Sequence, residues 1–123
     1  MTLATLACAP RFENAGFVFR PLAVPSRGSA ELAVWALEAP PGAESERHTV
    51  SREEVLVLHE GRMAVEVGDD RHELTPGDAV IVPPDTPVRL RNPADRPARL
   101  TVCTSRGMRG TVHGRTIDPP WAR

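Results

Sequence analysis

The sequence predicts a single all-β domain of two facing antiparallel sheets. Its 123 residues include 13 Pro and 9 Gly, and these residues divide the chain into segments too short for long helices. Within the segments, apolar and polar residues alternate at the period of a strand with one buried face. The segments recur about every 8–12 residues, a spacing typical of a small sandwich or barrel.

In chain order, the strand pattern occupies residues 17–24, 31–37, 55–59, 63–67, 72–74, 79–82, 88–91 and 100–102. The alternation is clearest where Met63, Val65 and Val67 flank Ala64 and Glu66. Turn residues follow most of these segments, as expected for hairpins and corners. From residue 106 onward the pattern is lost, so we expect an irregular tail whose Trp121 packs on the rest of the domain.

The chain therefore divides into three parts of one domain. Residues 1–29 form an N-terminal arm with the first strand or strands, residues 30–105 form the barrel core, and residues 106–123 form a tail that packs on the barrel. No internal repeat or low-complexity segment interrupts this order.

The charges exclude several function classes. Fifteen Lys and Arg balance 16 Asp and Glu, and they are scattered rather than gathered into the basic stripe that follows a phosphate backbone, so nucleic acid is not an expected partner. Every basic residue is Arg, and Tyr is absent as well. Schiff-base chemistry on a lysine and proton transfer by a tyrosine are therefore excluded.

The N-terminal MTLATLACAP lacks the charged region and the length of a secretory signal. No stretch approaches the roughly 20 apolar residues that span a bilayer, so we expect no membrane association and a cytoplasmic protein. Cys8 and Cys103 lie far apart without metal-type spacing. Reduced thiols are the expected state of both.

The segment from Gly42 to Gly61, GAESERHTVSREEVLVLHEG, places His48 and Glu54 in what otherwise reads as a half-buried strand. Their even separation predicts one shared face, where an imidazole and a carboxylate could act as an acid and base pair. A buried carboxylate also needs a partner, which His48 or an arginine would supply. The alternative is a structural role with no chemistry for either residue.

The same segment resembles the first motif of the small single-domain cupins. That motif carries Gly, His, a second His, Glu and Gly at fixed spacing, and Gly42, His48, Glu54 and Gly61 fall on four of those positions. Val50 stands at the position of the second His.

A second motif of that family follows in the expected order. Gly77, Pro83 and Asn92 match it, whereas Asp85 replaces its second Gly and Val88 replaces its His. The resemblance covers most of residues 30–105 and implies a cupin-type jelly-roll β-barrel.

The resemblance also implies a divalent metal held by three His and one Glu. Here only His48 and Glu54 remain of that set, fewer than the three protein ligands that catalytic metal sites usually supply. His59 is expected on the opposite face from Glu54, His72 beside a turn, and His113 in the tail. A divalent metal is therefore disfavoured and no cofactor is expected, although His48 and Glu54 would be its ligands if one bound.

The inner face of a barrel is both core and pocket wall. The residues expected to line a largely apolar ligand pocket, beside His48 and Glu54, are Arg47, Val50, Leu56, Met63, Val88 and Leu90. Arg47, next to His48, could bind a ligand carboxylate through its planar guanidinium.

The sequence supports three functions. The first is an enzyme that transfers protons through His48 and Glu54 on an apolar or aromatic metabolite, as an isomerase, cyclase or lyase. The second is a non-catalytic ligand-binding or sensing module, and the third a metal-dependent oxygenase with a reduced ligand set. We also expect a homodimer, because small barrels leave edge strands to cover, with residues 17–24 as the candidate contact.

Overall fold

The computed structural model describes residues 1–123 and contains strands and two short 3-10 turns but no α-helix. The strands are β1 (Phe12–Asn14), β2 (Phe17–Pro21), β3 (Leu32–Ala39), β4 (Thr49–Val50), β5 (Glu54–Glu60), β6 (Met63–Val67), β7 (Asp70–Leu74), β8 (Ala79–Val82), β9 (Val88–Arg91), β10 (Ala98–Ser105), β11 (Gly110–Val112) and β12 (Arg115–Ile117). The all-β prediction is confirmed. No helix is present that could cross a membrane.

Six antiparallel strands form the larger sheet, in the order β1-β2-β3-β10-β5-β8. Apolar residues on its inner face stand in register across neighbouring strands. Trp35 of β3 is opposite Val102 of β10, and Val102 is opposite Leu56 of β5. This row forms a continuous buried surface because side chains on one face of a sheet repeat every second residue.

The facing layer consists of two three-stranded sheets, β12-β11-β4 and β7-β6-β9. Two isolated bridges, Glu44 with Arg91 and His48 with Val88, connect the chain before β4 to β9. The two small sheets therefore adjoin along this line and together cover the larger sheet, which completes the jelly roll expected from the resemblance.

Apolar side chains from both layers make one core. Its fully buried members include Leu58, Met63, Val65 and Leu100. The buried amide of Asn92 links neighbouring segments of the chain, because its Nδ2 donates hydrogen bonds to three backbone carbonyls at 2.7–3.2 Å. Several members of this core, among them Trp35, Leu37 and Leu56, also line a cavity that opens between the layers.

The C-terminal segment differs from the expected irregular tail. Residues 110–117 form the β11–β12 hairpin, which pairs with β4 through β11. His113 and Gly114 turn the hairpin with φ values of 49° and 75°, as a two-residue turn with both φ positive requires. Trp121 packs on the body as expected, because its ring stacks on Phe19 with centroids 3.9 Å apart.

The segment of residues 42–61 is not one strand either. β4 ends at Val50, and the backbone and side chain of Ser51 bond to Arg109 before β5 begins at Glu54. The chain crosses from one layer to the other in these few residues. His48 and Glu54 therefore belong to opposite walls of the barrel, and their expected placement on one strand face was wrong.

The early strand expected to offer a free edge is covered within the chain. β2 pairs with β1 on one side and β3 on the other, so the edges of the large sheet are β1 and β8. The homodimer stays a prediction, and its contact would have to use a surface other than the edge of β2.

Candidate functional site

A cavity of about 460 Å³ opens between the two layers, within the range of small-molecule sites. One wall is the inner face of the large sheet, which contributes Phe17, Phe19, Trp35, Leu37 and Leu56. The opposite wall comes from the smaller sheets and the C-terminal segment, with the side chains of Val50, Leu90, Met108, Val112, Ile117 and Trp121. The surface is mainly apolar.

The aromatic residues of the chain are concentrated at this cavity. The protein has only three Phe and two Trp and no Tyr. Phe17, Phe19, Trp35 and Trp121 line the cavity, and Phe12 alone does not. Aromatic rings are thus scarce in the chain but abundant in the wall, which favours planar or cationic organic ligands.

Glu54 is the only carboxylate in the deep part of the wall. It begins β5 and is 7% exposed, and no protein group donates a hydrogen bond or forms an ion pair with it. Thr104, its neighbour in register on β10, donates its hydroxyl to the carbonyl of Glu53 instead. Desolvation by burial raises the pKa of Glu54 from 4.5 to about 7.

His48 faces the cavity from the opposite layer. A pair of backbone hydrogen bonds with Val88 holds its main chain, and its Nδ1 lies 2.8 Å from the carbonyl oxygen of Glu46. Because a carbonyl only accepts, Nδ1 carries the proton and donates it, which leaves Nε2 as the free ring nitrogen. The tautomer is therefore fixed by the carbonyl of Glu46.

The mouth of the cavity carries charged side chains. His113, at the tip of the β11–β12 hairpin, places Nε2 2.8 Å from a carboxylate oxygen of Glu46. Arg115 also lines the mouth and has no ion-pair partner in the protein. Glu46 thus contacts both histidines of the site, His48 through its carbonyl and His113 through its carboxylate.

Trp35 contributes an unsatisfied group. Its side chain lines the cavity, and its Nε1 is buried without a hydrogen-bond acceptor among the protein atoms. Such buried donors are uncommon in folded proteins.

The cavity includes only part of the expected lining. His48, Glu54, Val50, Leu56 and Leu90 all reach it. Met63 and Val88 do not reach it, because both are fully buried in the core. Arg47 points outward and contacts the carbonyl of Gly68 at 3.4 Å.

Several cavity residues were not identified from the sequence. Phe17 and Phe19 lie on a strand whose inward face the pattern did not assign to a site. His113 and Arg115 lie in the segment expected to be irregular. The one available signal was the scarcity of aromatic residues in the chain, which made each aromatic residue a candidate for the site.

The other histidines contact different surfaces. His59 lies on the outer face and its Nε2 is 2.6 Å from the Thr101 hydroxyl, as strand alternation predicted. His72 is exposed on β7.

Comparison with known proteins agrees with this architecture. The cupin domain family matches residues 35–104, more than half of the chain. The chain belongs to the cupin family. No curated protein matches its sequence.

Solved structures of other cupins superpose on this one. An RmlC-like cupin from Shewanella frigidimarina is 22% identical with a TM-score of 0.72, covering 84% of this chain and 88% of its own. The polyketide cyclase RemF from Streptomyces resistomycificus is 19% identical with a TM-score of 0.74, covering 85% and 79%. A sugar phosphate isomerase of the cupin superfamily from Silicibacter pomeroyi is 20% identical with a TM-score of 0.71, covering 93% and 89%. At these identities the likeness shows the shared fold alone.

The donor set of this cupin does not fit the metal centre that the resemblance implies. No three His, Cys, Asp or Glu side chains gather in an arrangement able to hold an ion. Val50 and Val88 are both buried in apolar surroundings, where a metal would find no lone pair. A metal therefore has no role in the chemistry proposed for this site.

Proposed function

We propose that this cupin binds a small, largely apolar or aromatic organic molecule in the cavity and transfers protons to and from it through Glu54 and His48. The reaction class is that of an isomerase, cyclase or lyase. The observation that carries the proposal is a buried carboxylate without a protein partner, facing a histidine with one free nitrogen across an apolar cavity.

Glu54 is suited to remove a proton from the ligand. Its pKa of about 7 leaves much of it ionised near neutral pH, and a carboxylate with a raised pKa is a stronger base than an exposed one. No protein donor bonds to the carboxylate of Glu54, so its ionised form is not stabilised in a way that would weaken it as a base.

His48 is suited to return a proton at a second position. The bond from Nδ1 to the Glu46 carbonyl fixes the ring, so a proton taken up from water reaches the ligand through Nε2. Because the two residues lie on different segments of the cavity wall, Glu54 on β5 and His48 just before β4, we expect the proton lost to Glu54 and the one gained from His48 to concern different atoms of a bound molecule. The net result is a shifted double bond, a closed ring or an expelled leaving group.

The activity can be tested with 5-nitrobenzisoxazole, a planar aromatic probe. A base removes its ring C–H proton, the electron pair forms a nitrile, and the N–O bond breaks to give a coloured phenolate. We expect the protein to accelerate this reaction with a rate that rises as Glu54 ionises around its pKa of about 7. Glu54→Gln should lower the rate about 100-fold or more.

Matched variants separate chemistry from general charge effects. Glu53→Gln removes the exposed neighbouring carboxylate, and His59→Ala removes the histidine on the outer face; both should keep the wild-type rate. His48→Ala should lower it by about 10-fold. A wild-type rate no faster than that of free acetate, or one unchanged by Glu54→Gln, would contradict the proposed chemistry.

A further inference from the structure

We propose that the natural ligand of this cavity carries a positively charged nitrogen group, held between the carboxylate of Glu54 and the aromatic rings of the wall. This inference rests on the proposed function, since it takes the same cavity as the ligand site. It narrows the ligand to an organic cation, such as an amine or a quaternary ammonium compound with an apolar or aromatic body.

The charge of Glu54 is the first ground. A buried carboxylate is tolerated when a cation pairs with it, yet no Arg or His contacts Glu54. The other titratable or charged groups of the cavity are Glu46, His48, His113 and Arg115. Of these, His113 is paired with Glu46 at the mouth, and His48 is bonded to a carbonyl. Arg115 is exposed at the start of β12 and forms no ion pair with Glu54. No protein cation therefore neutralises Glu54, and the ligand is left to supply that charge.

The replaced residues of the motif give a second ground. A glutamate at this position in a metal-binding cupin would be neutralised by the ion, whereas Val50 and Val88 deprive this chain of the donors for one. Val50 presents apolar surface to the cavity instead, while Val88 is buried in the core. An organic cation meets both conditions, because it brings charge together with apolar groups.

The aromatic wall gives the third ground. Phe17, Phe19, Trp35 and Trp121 line the same cavity as Glu54, and two of them, Phe19 and Trp121, are stacked on each other. A ring face attracts a cation through its quadrupole, most strongly where water is excluded. An anionic ligand would instead meet a carboxylate in a poorly solvated site, which is unfavourable.

Two probes of nearly equal shape test the charge directly. Phenyltrimethylammonium carries a permanent charge, and tert-butylbenzene replaces its nitrogen with carbon. Both tryptophans of the chain line the cavity, so quenching of tryptophan fluorescence reports the binding of either probe. At about pH 8, we expect the wild-type protein to bind the cation about 10-fold or more tightly than the neutral probe.

The pH dependence and one substitution assign the preference to Glu54. Because phenyltrimethylammonium cannot titrate, its affinity should fall as the pH drops below about 7 and Glu54 becomes protonated, while that of tert-butylbenzene stays constant. Glu54→Gln should remove the pH dependence and lower the preference to the smaller one that the aromatic rings supply. Glu53→Gln should retain the wild-type preference and its pH dependence.

A second pair of variants tests the aromatic wall even if Glu54→Gln alters the fold. Phe19→Leu removes a ring from the cavity, and Phe12→Leu removes the one aromatic residue outside it. We expect Phe19→Leu to weaken binding of the cation about 2- to 5-fold relative to tert-butylbenzene. Phe12→Leu should leave the ratio unchanged.

The outcomes separate this inference from the proposed function. Equal affinity of the wild-type protein for the two probes, or no binding of the cation, would overturn the inference. A clear cation preference without acceleration of 5-nitrobenzisoxazole would uphold it and contradict the catalytic proposal. Acceleration of 5-nitrobenzisoxazole without a cation preference would uphold the catalytic proposal and overturn the inference.

Discussion

Glu54→Gln should stabilise this protein at neutral and alkaline pH. The carboxyl is 7% exposed and unpaired, and burial raises its pKa from 4.5 to about 7. At about 1.4 kcal/mol per pKa unit, the gap between these values corresponds to about 3 kcal/mol of unfolding free energy. Glutamine has nearly the same shape as glutamate and no charge, so the variant does not carry the free-energy cost of burying a carboxylate.

The sign of the pH dependence follows from proton binding. Between pH 4.5 and about 7 the folded protein holds the Glu54 proton while the unfolded chain has released it, so stability falls as the pH rises through this window. Below the window both states are protonated and the penalty vanishes. Glu54→Gln should therefore match the wild type at about pH 4 and exceed it at about pH 8.

Thermal unfolding followed by circular dichroism, at a series of pH values, measures this difference. For a domain of this size, about 3 kcal/mol raises the melting temperature by about 10 °C. Glu53→Gln, which removes an exposed carboxylate at the adjacent position, should change it little at any pH. A Glu54→Gln variant that is no more stable than the wild type at about pH 8 would show that the ionised carboxylate of Glu54 does not destabilise the fold.

Three further predictions concern stability and metal. In urea unfolding, Gly61→Ala should lower the unfolding free energy by about 3 kcal/mol or more, because the new Cβ would lie 2.7 Å from the carbonyl oxygen of Pro97. Gly16→Ala, which is also at positive φ but in open space, should lower it by only about 1 kcal/mol. Asn92→Ala should cost about 3 kcal/mol in the same assay, since it leaves three carbonyls without their donor; a loss below about 1 kcal/mol would show that water replaces the amide. Chelation with EDTA should leave the melting temperature unchanged, because no three metal-binding side chains gather; a drop on chelation that zinc reverses would reveal a metal bound to the folded state.

Much of the fold could be predicted from the sequence, because most of the strands can be recognised from the residues within and next to them. The strands Met63–Val67 and Ala79–Val82 have the predicted bounds, because the first carries an alternating pattern and the second is a short apolar run bounded by turn residues. The β11–β12 hairpin was missed because each of its strands has only three residues and none of these residues is fully buried. So short a strand shows too few alternations to be recognised.

The candidate site was harder to predict, because its geometry depends on contacts between distant parts of the chain. His48 and Glu54 do share a cavity, yet they reach it from opposite layers, and the spacing argument that joined them assumed one unbroken strand. The turn at Ser51 depends on bonds to Arg109, a residue far along the sequence. Local patterns carry no information on such a partner.

Both proposals depend on one group, the carboxyl of Glu54, changing its protonation state near neutral pH inside the cavity. ¹³C NMR of the glutamate side-chain carboxyls measures this directly, with the Glu54 signal assigned by its loss in Glu54→Gln. We expect a titration midpoint near the pKa of about 7 for that signal. A midpoint close to the ordinary value of 4.5 would show that the carboxylate is solvated or paired, and it would contradict both the proposed base and the proposed binding of a cation.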